Sequence, residues 1–384
     1  MSTSAQHPEQ DGPVTPSDWS QHPSSPVVLV VAGPGDPELV TIRGREKLGA
    51  ADIIVSDPEV IDIARRYGRG CCEVLPTLDE AGQPLSQVHQ QLVSLGDLPL
   101  LDTDPDQLPE VDLVFVALPH GESAPFVHGL AAGQRVVDLG ADFRLADAGA
   151  WQRYYGAVPH AGSWPYGLPE LPGARAQLAG LSRVANPGCY ATAVAVSLVP
   201  LVGPLGATEV VVVAASGASG AGRTPTTGLL GAELMGSAAA YKVGGIHQHT
   251  PEMEQTLSGF TDRPVTVSFT PVLAPMARGI LATSSFAAPA GTTTESVRGL
   301  LADAYADEQF VHVLPEGGWP RTADVLGSNA ALVQAVVDDH AGRVVVVCAL
   351  DNLGKGAAGQ AVQNANLMLG LPEDAGLCAI GVAP

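Results

Sequence analysis

DLVFVAL (112–118) and RVVDLG (135–140) are two continuous apolar runs of strand length, each closed by a turn. Neither alternates polar with apolar residues, so both faces of each strand need cover. Parallel strands flanked by helices have that requirement. Toward the N-terminus, VVLVVA (27–32) and DIIVS (52–56) are runs of the same kind. Between them ELVTIRGREKLG (38–49) carries apolar residues at helical spacing, and PEVIDIARRY (58–67) opens with Pro58 in the first turn of a helix. The alternation predicts an α/β fold whose first part is a doubly wound, Rossmann-like nucleotide-binding domain.

Toward the C-terminus the pattern changes. EVVVVAAS (209–216), VTVSFTPVL (265–273), GILATSSFAA (279–288), ALVQAVVDD (331–339) and RVVVVCAL (343–350) read as strands of an α+β domain with a mostly antiparallel sheet. TESVRGLLADAYADE (294–308) is an intervening helix, and KGAAGQAVQNANLMLG (355–370) is the last one. Its place after the second sheet predicts a return to the first domain. Residues 1–26 hold five prolines and few apolar side chains, and they read as a disordered tail.

The chain has 384 residues, with 19 Lys and Arg against 40 Asp and Glu, a formal charge of −21. That balance excludes a basic nucleic-acid footprint and a polybasic membrane anchor. The longest apolar stretch, 191–207, is interrupted by Pro200 and Pro204 and is too short to span a bilayer. No signal peptide is visible. The five cysteines include no CxxC pair, which argues against a zinc site or disulfide framework and fits a reducing cytoplasm.

Cys189 stands in ANPGCYATAVAVSLV, at a Pro-Gly turn that opens an Ala/Val-rich helix. The positive end of the helix dipole and its unpaired N–H groups stabilise a thiolate, the nucleophilic form. A small buried residue capping the helix is the alternative on these residues alone. His247 and His249 precede a helix for which Thr250 reads as the N-cap and Pro251 as the first residue. On an extended segment the two imidazoles point the same way. No third metal ligand lies near in sequence, so a general acid or base is preferred over a metal site, and an ordinary surface pair is the alternative on these residues alone. SGASGAG (216–222) is a glycine-rich loop, either of the kind that lets main-chain N–H groups approach phosphates or a plain turn. GADFR (140–144) places Asp142 and Arg144 after a strand end, either to hold an anion or to pair with each other. Lys355 sits at a helix start, where the dipole disfavours it, and a phosphate partner or simple exposure would account for it.

These segments together resemble the N-acetyl-gamma-glutamyl-phosphate reductase family of the aspartate-semialdehyde dehydrogenase superfamily. The matching pieces are AGQPLSQVH (81–89), VFVALPHGESA (114–124), DLGADFRL (138–145), WPYGLPEL (164–171), ANPGCYATA (185–193), SGASGAGR (216–223), IHQHTPEMEQ (246–255), SFTPVLAPMARGILAT (268–283), LPEGGWPRTADVLGSN (314–329) and DNLGKGAAGQAVQNANLMLGL (351–371). They run collinearly over about four-fifths of the chain.

The resemblance implies NADPH-dependent reduction of N-acetyl-L-glutamyl 5-phosphate to the 5-semialdehyde, with phosphate release through a Cys189 thioacyl intermediate, in arginine biosynthesis. A carrier-protein-linked acyl phosphate, or a cofactor-impaired non-catalytic homologue, is the alternative. Cys189 matches the nucleophile. His249 is favoured as the acid/base, with Glu252 orienting it and His247 as rival. Arg144 is a substrate-holding candidate, and Ser219, Gly220 and Asn352 match cofactor positions. The expected division is a tail (1–26), an NADP-binding domain (27–187), a catalytic and oligomerisation domain (188–351) and a returning C-terminal helix (352–384). A homo-oligomer, dimer or tetramer, is expected in the cytoplasm, with no nucleic-acid or membrane partner.

One stretch departs from the family. VVLVVAGPGDPELVTIRGREKLGAADIIVSDPEV (27–60) resembles the start of a uroporphyrinogen-III-type methyltransferase, weakly to about residue 76. No later methylase motif follows, so methyl transfer is not expected. The segment can still supply the first strand–loop–helix unit of the sheet, with Gly33 and Gly35 in the cofactor turn. Pro34 and Pro37 lack N–H donors and Asp36 is negative where a pyrophosphate would lie, which predicts weakened NADP binding.

Overall fold

The computed structural model describes residues 103–108, 111–221 and 229–382, together with the backbone of Val28–Leu29 and Ile53–Ile54. The tail 1–26, most of the methylase-like stretch, Gly33 and Gly35, and the helices read at 38–49 and 58–67 lie outside the described residues.

The first sheet has strands β1 (Val28–Leu29), β2 (Ile53–Ile54), β3 (Leu113–Val116), β4 (Arg135–Asp138) and β5 (Arg183–Ala185), in the order β2-β1-β3-β4-β5 and parallel throughout. Sequence order reverses at β1, so a topological switch point lies between β1 and β3, where such sheets take ligands beyond their carboxyl ends. All four side chains of β3 are buried, as its unbroken apolar run requires. Helices α1 (Ser123–Gly129), α2 (Ala148–Tyr155) and α3 (Ala174–Leu178) fill the connections.

Helix α4 (Cys189–Val202) then leads into the second sheet. Every residue from Tyr190 to Val202 except Pro200 is buried, because the helix is apolar all round and is covered on every side. The second sheet comprises β6 (Glu209–Ser216), β7 (Ala239–Ala240), β8 (Thr266–Leu273), β9 (Ile280–Ala287), β10 (Val311–Val313), β11 (Ala331–Asp338) and β12 (Arg343–Leu350). Their order is β10-β11-β12-β9-β6-β8-β7. Four of the six pairings are antiparallel, and the pairs β10–β11 and β6–β8 are parallel. Burial along β6 alternates, so one face carries the core and the other leaves Val211 and Val213 exposed.

Helices α5 (Gly231–Leu234) and α6 (Thr250–Ser258) lie between β6 and β8. Helix α7 (Thr294–Ala304) starts at a capping box in which the Thr293 and Ser296 side chains bond each other's main-chain N–H. It ends four residues before the stretch read from sequence. The last stretch is two elements rather than one helix: a π-turn (Gly354–Ala358) and helix α8 (Gly359–Met368). Ala361, Ala365 and Met368 of α8 join the core formed by β3 and β4, which ties the end of the chain to the first sheet.

Candidate active site

Cys189 is the first residue of α4 and half-buried, with Gly188 as the N-cap. The approach to it is tight. A Cβ on Gly188 would stand 2.6 Å from His249 Nε2 and 2.9 Å from Arg144, and one on Gly356 would stand 2.8 Å from the Cys189 Cβ. Only glycine leaves room at either position, and Gly356 belongs to the π-turn, an irregularity common at functional sites.

Burial pushes the Cys189 thiol up to about 11, against the downward pull of the Tyr190 N–H and the Arg144 charge. The helix start acts as the sequence implied, but desolvation outweighs it, so the resting sulfur is a thiol. Burial likewise drives His249 down to about 3, helped by the charges of Arg144 and Lys242. His247 is driven to about 3 by burial, then by His249 and Lys242. Both imidazoles are therefore neutral near pH 7. The His249 N–H donates to His247 Nδ1 at 3.0 Å, which fixes the His247 proton on Nε2, while Nδ1 of His249 has no partner. The two residues lie in consecutive turns rather than on an extended segment, their ring centroids 4.9 Å apart and nearly perpendicular. Helix α6 is capped by His249, one residue earlier than read, and without a side-chain bond.

Glu252 does not orient His249. Its Oε1 accepts from the Gly188 N–H at 2.7 Å and from the Tyr166 hydroxyl at 2.7 Å, and its Oε2 faces Arg144 at 3.4 Å. The carboxylate thus holds the turn that carries Cys189. Arg144 is turned inward as well, with Nε donating to Asn186 O at 2.8 Å and an Nη donating to Leu139 O at 2.6 Å. Three of its N–H donors are thus engaged around the loop that carries Cys189. Asp142 does not pair with it: its carboxylate accepts from the Gly121 and Ala124 N–H groups and so caps α1. Asp138, at the end of β4, is wholly buried, and burial raises its carboxyl to about 7.

The main-chain donors of 217–220 in the glycine-rich loop are taken by protein carbonyls. Gly217, Ala218 and Ser219 donate to the carbonyls of Gly279, Met276 and Ala277, and Gly220 donates to Gly217. The loop presents side chains: Asn352 Nδ2 donates to Ser219 Oγ at 2.9 Å, and Asn352 Oδ1 accepts from the Gly279 N–H at 2.7 Å. Lys355 is neither exposed nor free for a phosphate; it is fully buried against Glu170 at 2.5 Å and Gln363 at 2.7 Å.

Sequence reading missed the phenols. Tyr190, next to Cys189, meets the Tyr241 hydroxyl at 3.0 Å and packs edge-on to both imidazoles. Adjacency to Cys189 was the available signal for Tyr190; Tyr166 and Tyr241 gave none. Among the described residues no helix is long and apolar enough to cross a membrane.

Residues 72–179 match the family described as "Semialdehyde dehydrogenase, NAD binding domain", and residues 189–352 match "Semialdehyde dehydrogenase, dimerisation domain". The chain is similar to proteins named N-acetyl-gamma-glutamyl-phosphate reductase. The one from Acidothermus cellulolyticus is 56% identical over 81% of this chain and 91% of its own. The proteins from Streptomyces coelicolor and Salinispora arenicola are 57% and 58% identical, each over 79% of this chain and 89% of theirs. Among solved structures, aspartate semialdehyde dehydrogenase II from Vibrio cholerae superposes with a TM-score of 0.59 at 17% identity, over 90% of this chain and 98% of that one. Aspartate semialdehyde dehydrogenase with NADP from Candida albicans superposes with a TM-score of 0.60 at 15% identity, over 89% and 98%. These likenesses establish the fold.

Proposed function

The chain belongs to the N-acetyl-gamma-glutamyl-phosphate reductase family, and from that premise we propose that it reduces N-acetyl-L-glutamyl 5-phosphate to N-acetyl-L-glutamate 5-semialdehyde at Cys189, with phosphate release, as a step of L-arginine biosynthesis. The observation that carries this reading is a half-buried thiol at a helix start with a neutral imidazole packed on the preceding glycine.

A thiol pushed up to about 11 provides little thiolate near pH 7, so its proton must leave as the sulfur attacks. Neutral His249 takes that proton. The sulfur–carbon bond forms, the carbon–oxygen bond to phosphate breaks, and His249 passes the proton to the departing phosphate. Cys189 is left as a thioester. Main-chain N–H groups at the head of α4 are donors for the oxyanion of each tetrahedral state. NADPH, when bound, supplies the hydride that reduces the thioester. The carbon–sulfur bond then breaks, the aldehyde leaves, and a proton taken up from solvent and relayed by His249 restores the thiol. Glu252, Tyr166 and Arg144 hold the Gly188 turn in place for both halves of the cycle.

The described residues suit the nicotinamide end of NADP. The Asn352 amide is oriented by Gly279 and Ser219 just before the π-turn that rests on Cys189. Gly220 leaves a hollow that a Cβ would narrow, at 3.2 Å from Ser216 Oγ and 3.6 Å from Asn352 Nδ2. Ser219, Gly220 and Asn352 would line the cofactor there. Residues 27–187 serve as its domain, 188–351 as the catalytic and oligomerisation domain of a homo-oligomer, dimer or tetramer, and 352–384 return to the first. Cytoplasmic operation belongs to the same reading. The GPGDP sequence (33–37), with two prolines and an aspartate, supports weaker NADP binding than in the relatives.

The test is NADP reduction with N-acetyl-glutamate semialdehyde, with and without inorganic phosphate. Phosphate-dependent turnover, lost in Cys189→Ser, is the expected result; no turnover by the unmodified chain overturns the reading. An NADPH fluorescence titration beside the Streptomyces coelicolor protein should show weaker binding here, and equal affinity would remove that part.

A further inference from the structure

Lys242 is the one described residue other than glycine with a positive φ, at 43°. That backbone region is unfavourable for a side chain with a Cβ, and such residues persist where their surroundings fix them, often at functional sites. Its surroundings do fix it. On one side the Tyr241 N–H donates to Pro271 O at 3.1 Å and the Tyr241 hydroxyl meets that of Tyr190, the residue after the nucleophile. On the other, Gly244 and Gly245 turn the chain into the His247–His249 segment, both also at positive φ. The Lys242 side chain folds back so that Nζ donates to Gln248 Oε1 at 2.5 Å, between the two histidines.

The charge balance points the same way. Two cations act on the His249 imidazole, Arg144 and Lys242. Arg144 is buried and committed to Glu252 and two carbonyls. Lys242 is exposed, and its bonding partner is a neutral amide. Among the described residues its ammonium is paired with no carboxylate, and its charge acts on the His249 imidazole of a site whose substrate carries a phosphoryl dianion. An ammonium keeps two further donors after one bond to Gln248. Holding this cation beside the acid/base by means of a costly backbone conformation has no evident use in packing, because the residue is exposed.

Resting on the reductase reading above, we propose that Lys242 docks the phosphoryl group of the substrate and the inorganic phosphate that leaves. It is a substrate-binding residue: it places the leaving group beside the proton held by His249, and Gln248 holds the ammonium in position when phosphate is absent.

The probe is inorganic phosphate in the reverse direction, with NADP and the semialdehyde as the other reactants. Lys242→Ala should raise the KM for phosphate by about tenfold or more, the scale of one lost charge-assisted hydrogen bond. The KM values for NADP and aldehyde should not follow. Lys242→Arg should keep most of the phosphate affinity. Lys242→Gly, which removes the backbone strain together with the charge, should be as poor as Lys242→Ala and should fold where a strained variant does not. If the phosphate KM moves no further than those of the other two reactants, or if Lys242→Arg is as impaired as Lys242→Ala, the assignment is wrong. A failure of the underlying reading has a separate signature, the absence of phosphate-dependent turnover in the unmodified chain.

Discussion

Two of the buried ionic clusters among the described residues are built from the same chemistry and serve different ends. In one, Glu252 holds Tyr166, Arg144 and the Gly188 N–H, all directly under a half-buried thiol. In the other, Lys355 and Glu170 are wholly buried and continue through Gln363 and Glu373 to Arg175 and Glu308. The second cluster joins α3, the end of α7, the π-turn and α8, and so ties the end of the chain to both sheets. Burial of a charge therefore does not mark chemistry by itself. What separates the clusters is the company each keeps: a half-buried thiol and two neutral imidazoles for the first, helix ends for the second.

The largest effect should come from opposing the two carboxylates. Glu170→Gln leaves Lys355 buried without its counter-charge, and removing one partner of such a pair costs about 3–5 kcal/mol. Its urea midpoint should fall accordingly. Glu252→Gln keeps an oxygen for the Gly188 N–H but loses the attraction to Arg144, and a small displacement of the nucleophile is enough for about a 10²-fold fall in kcat. The contrast breaks if Glu170→Gln, measured on the folded fraction, lowers kcat as much as Glu252→Gln does.

A finer probe reads the electrostatics of the first cluster directly. Alkylation of the Cys189 peptide by iodoacetamide, followed by mass spectrometry against pH, should inflect near the thiol's about 11. The negative charge of Glu252 raises that value and the positive charge of Arg144 lowers it. The inflection should thus move down in Glu252→Gln and up in Arg144→Met, and stay put in Glu170→Gln. Movement in the opposite sense would show that the carboxylate acts on the thiol by geometry alone.

The difference between the clusters was only partly legible in the amino-acid sequence. The strands were, because unbroken and alternating apolar runs state how many faces each strand buries. Cys189 was too, since a Pro-Gly turn before an Ala/Val-rich helix is a local signal. The partners of the buried charges were not. Glu252 lies 108 residues from Arg144 and 64 from Gly188, and Lys355 lies 185 from Glu170. Local reasoning placed Lys355 by the helix dipole, a contribution that a buried counter-charge overrides. It placed Glu252 beside the nearest histidine, whereas the helix turns the carboxylate toward α4. For the glycine-rich loop, composition left a phosphate cradle and a plain turn both open, and only the fold shows that the carbonyls of 276, 277 and 279 accept from three of its N–H groups.

The smallest effect concerns pH. Folding carries His249 from 6.5 down to about 3, so between these values the unfolded chain binds a proton that the folded chain refuses. The stability this group contributes is complete above its unfolded value and is lost as pH falls toward the folded one. Asp138 works in the opposite sense: its folded carboxyl, raised from 3.8 to about 7, contributes stability below the lower value that is lost as pH rises through the upper. His247, also carried down to about 3, works in the same sense as His249, and Asp138 offsets only part of the two, so the parent's own curve is a poor reporter and the difference from a variant is the better one. His249→Asn removes the imidazole and leaves Asp138 in place. On acidification from about pH 6 to about pH 5, the parent should lose up to about 1.4 kcal/mol relative to that variant, the limiting slope for one proton. Urea midpoints at several pH values measure it, and parallel curves would show that the imidazole is protonated in the folded protein and could not serve as a neutral base.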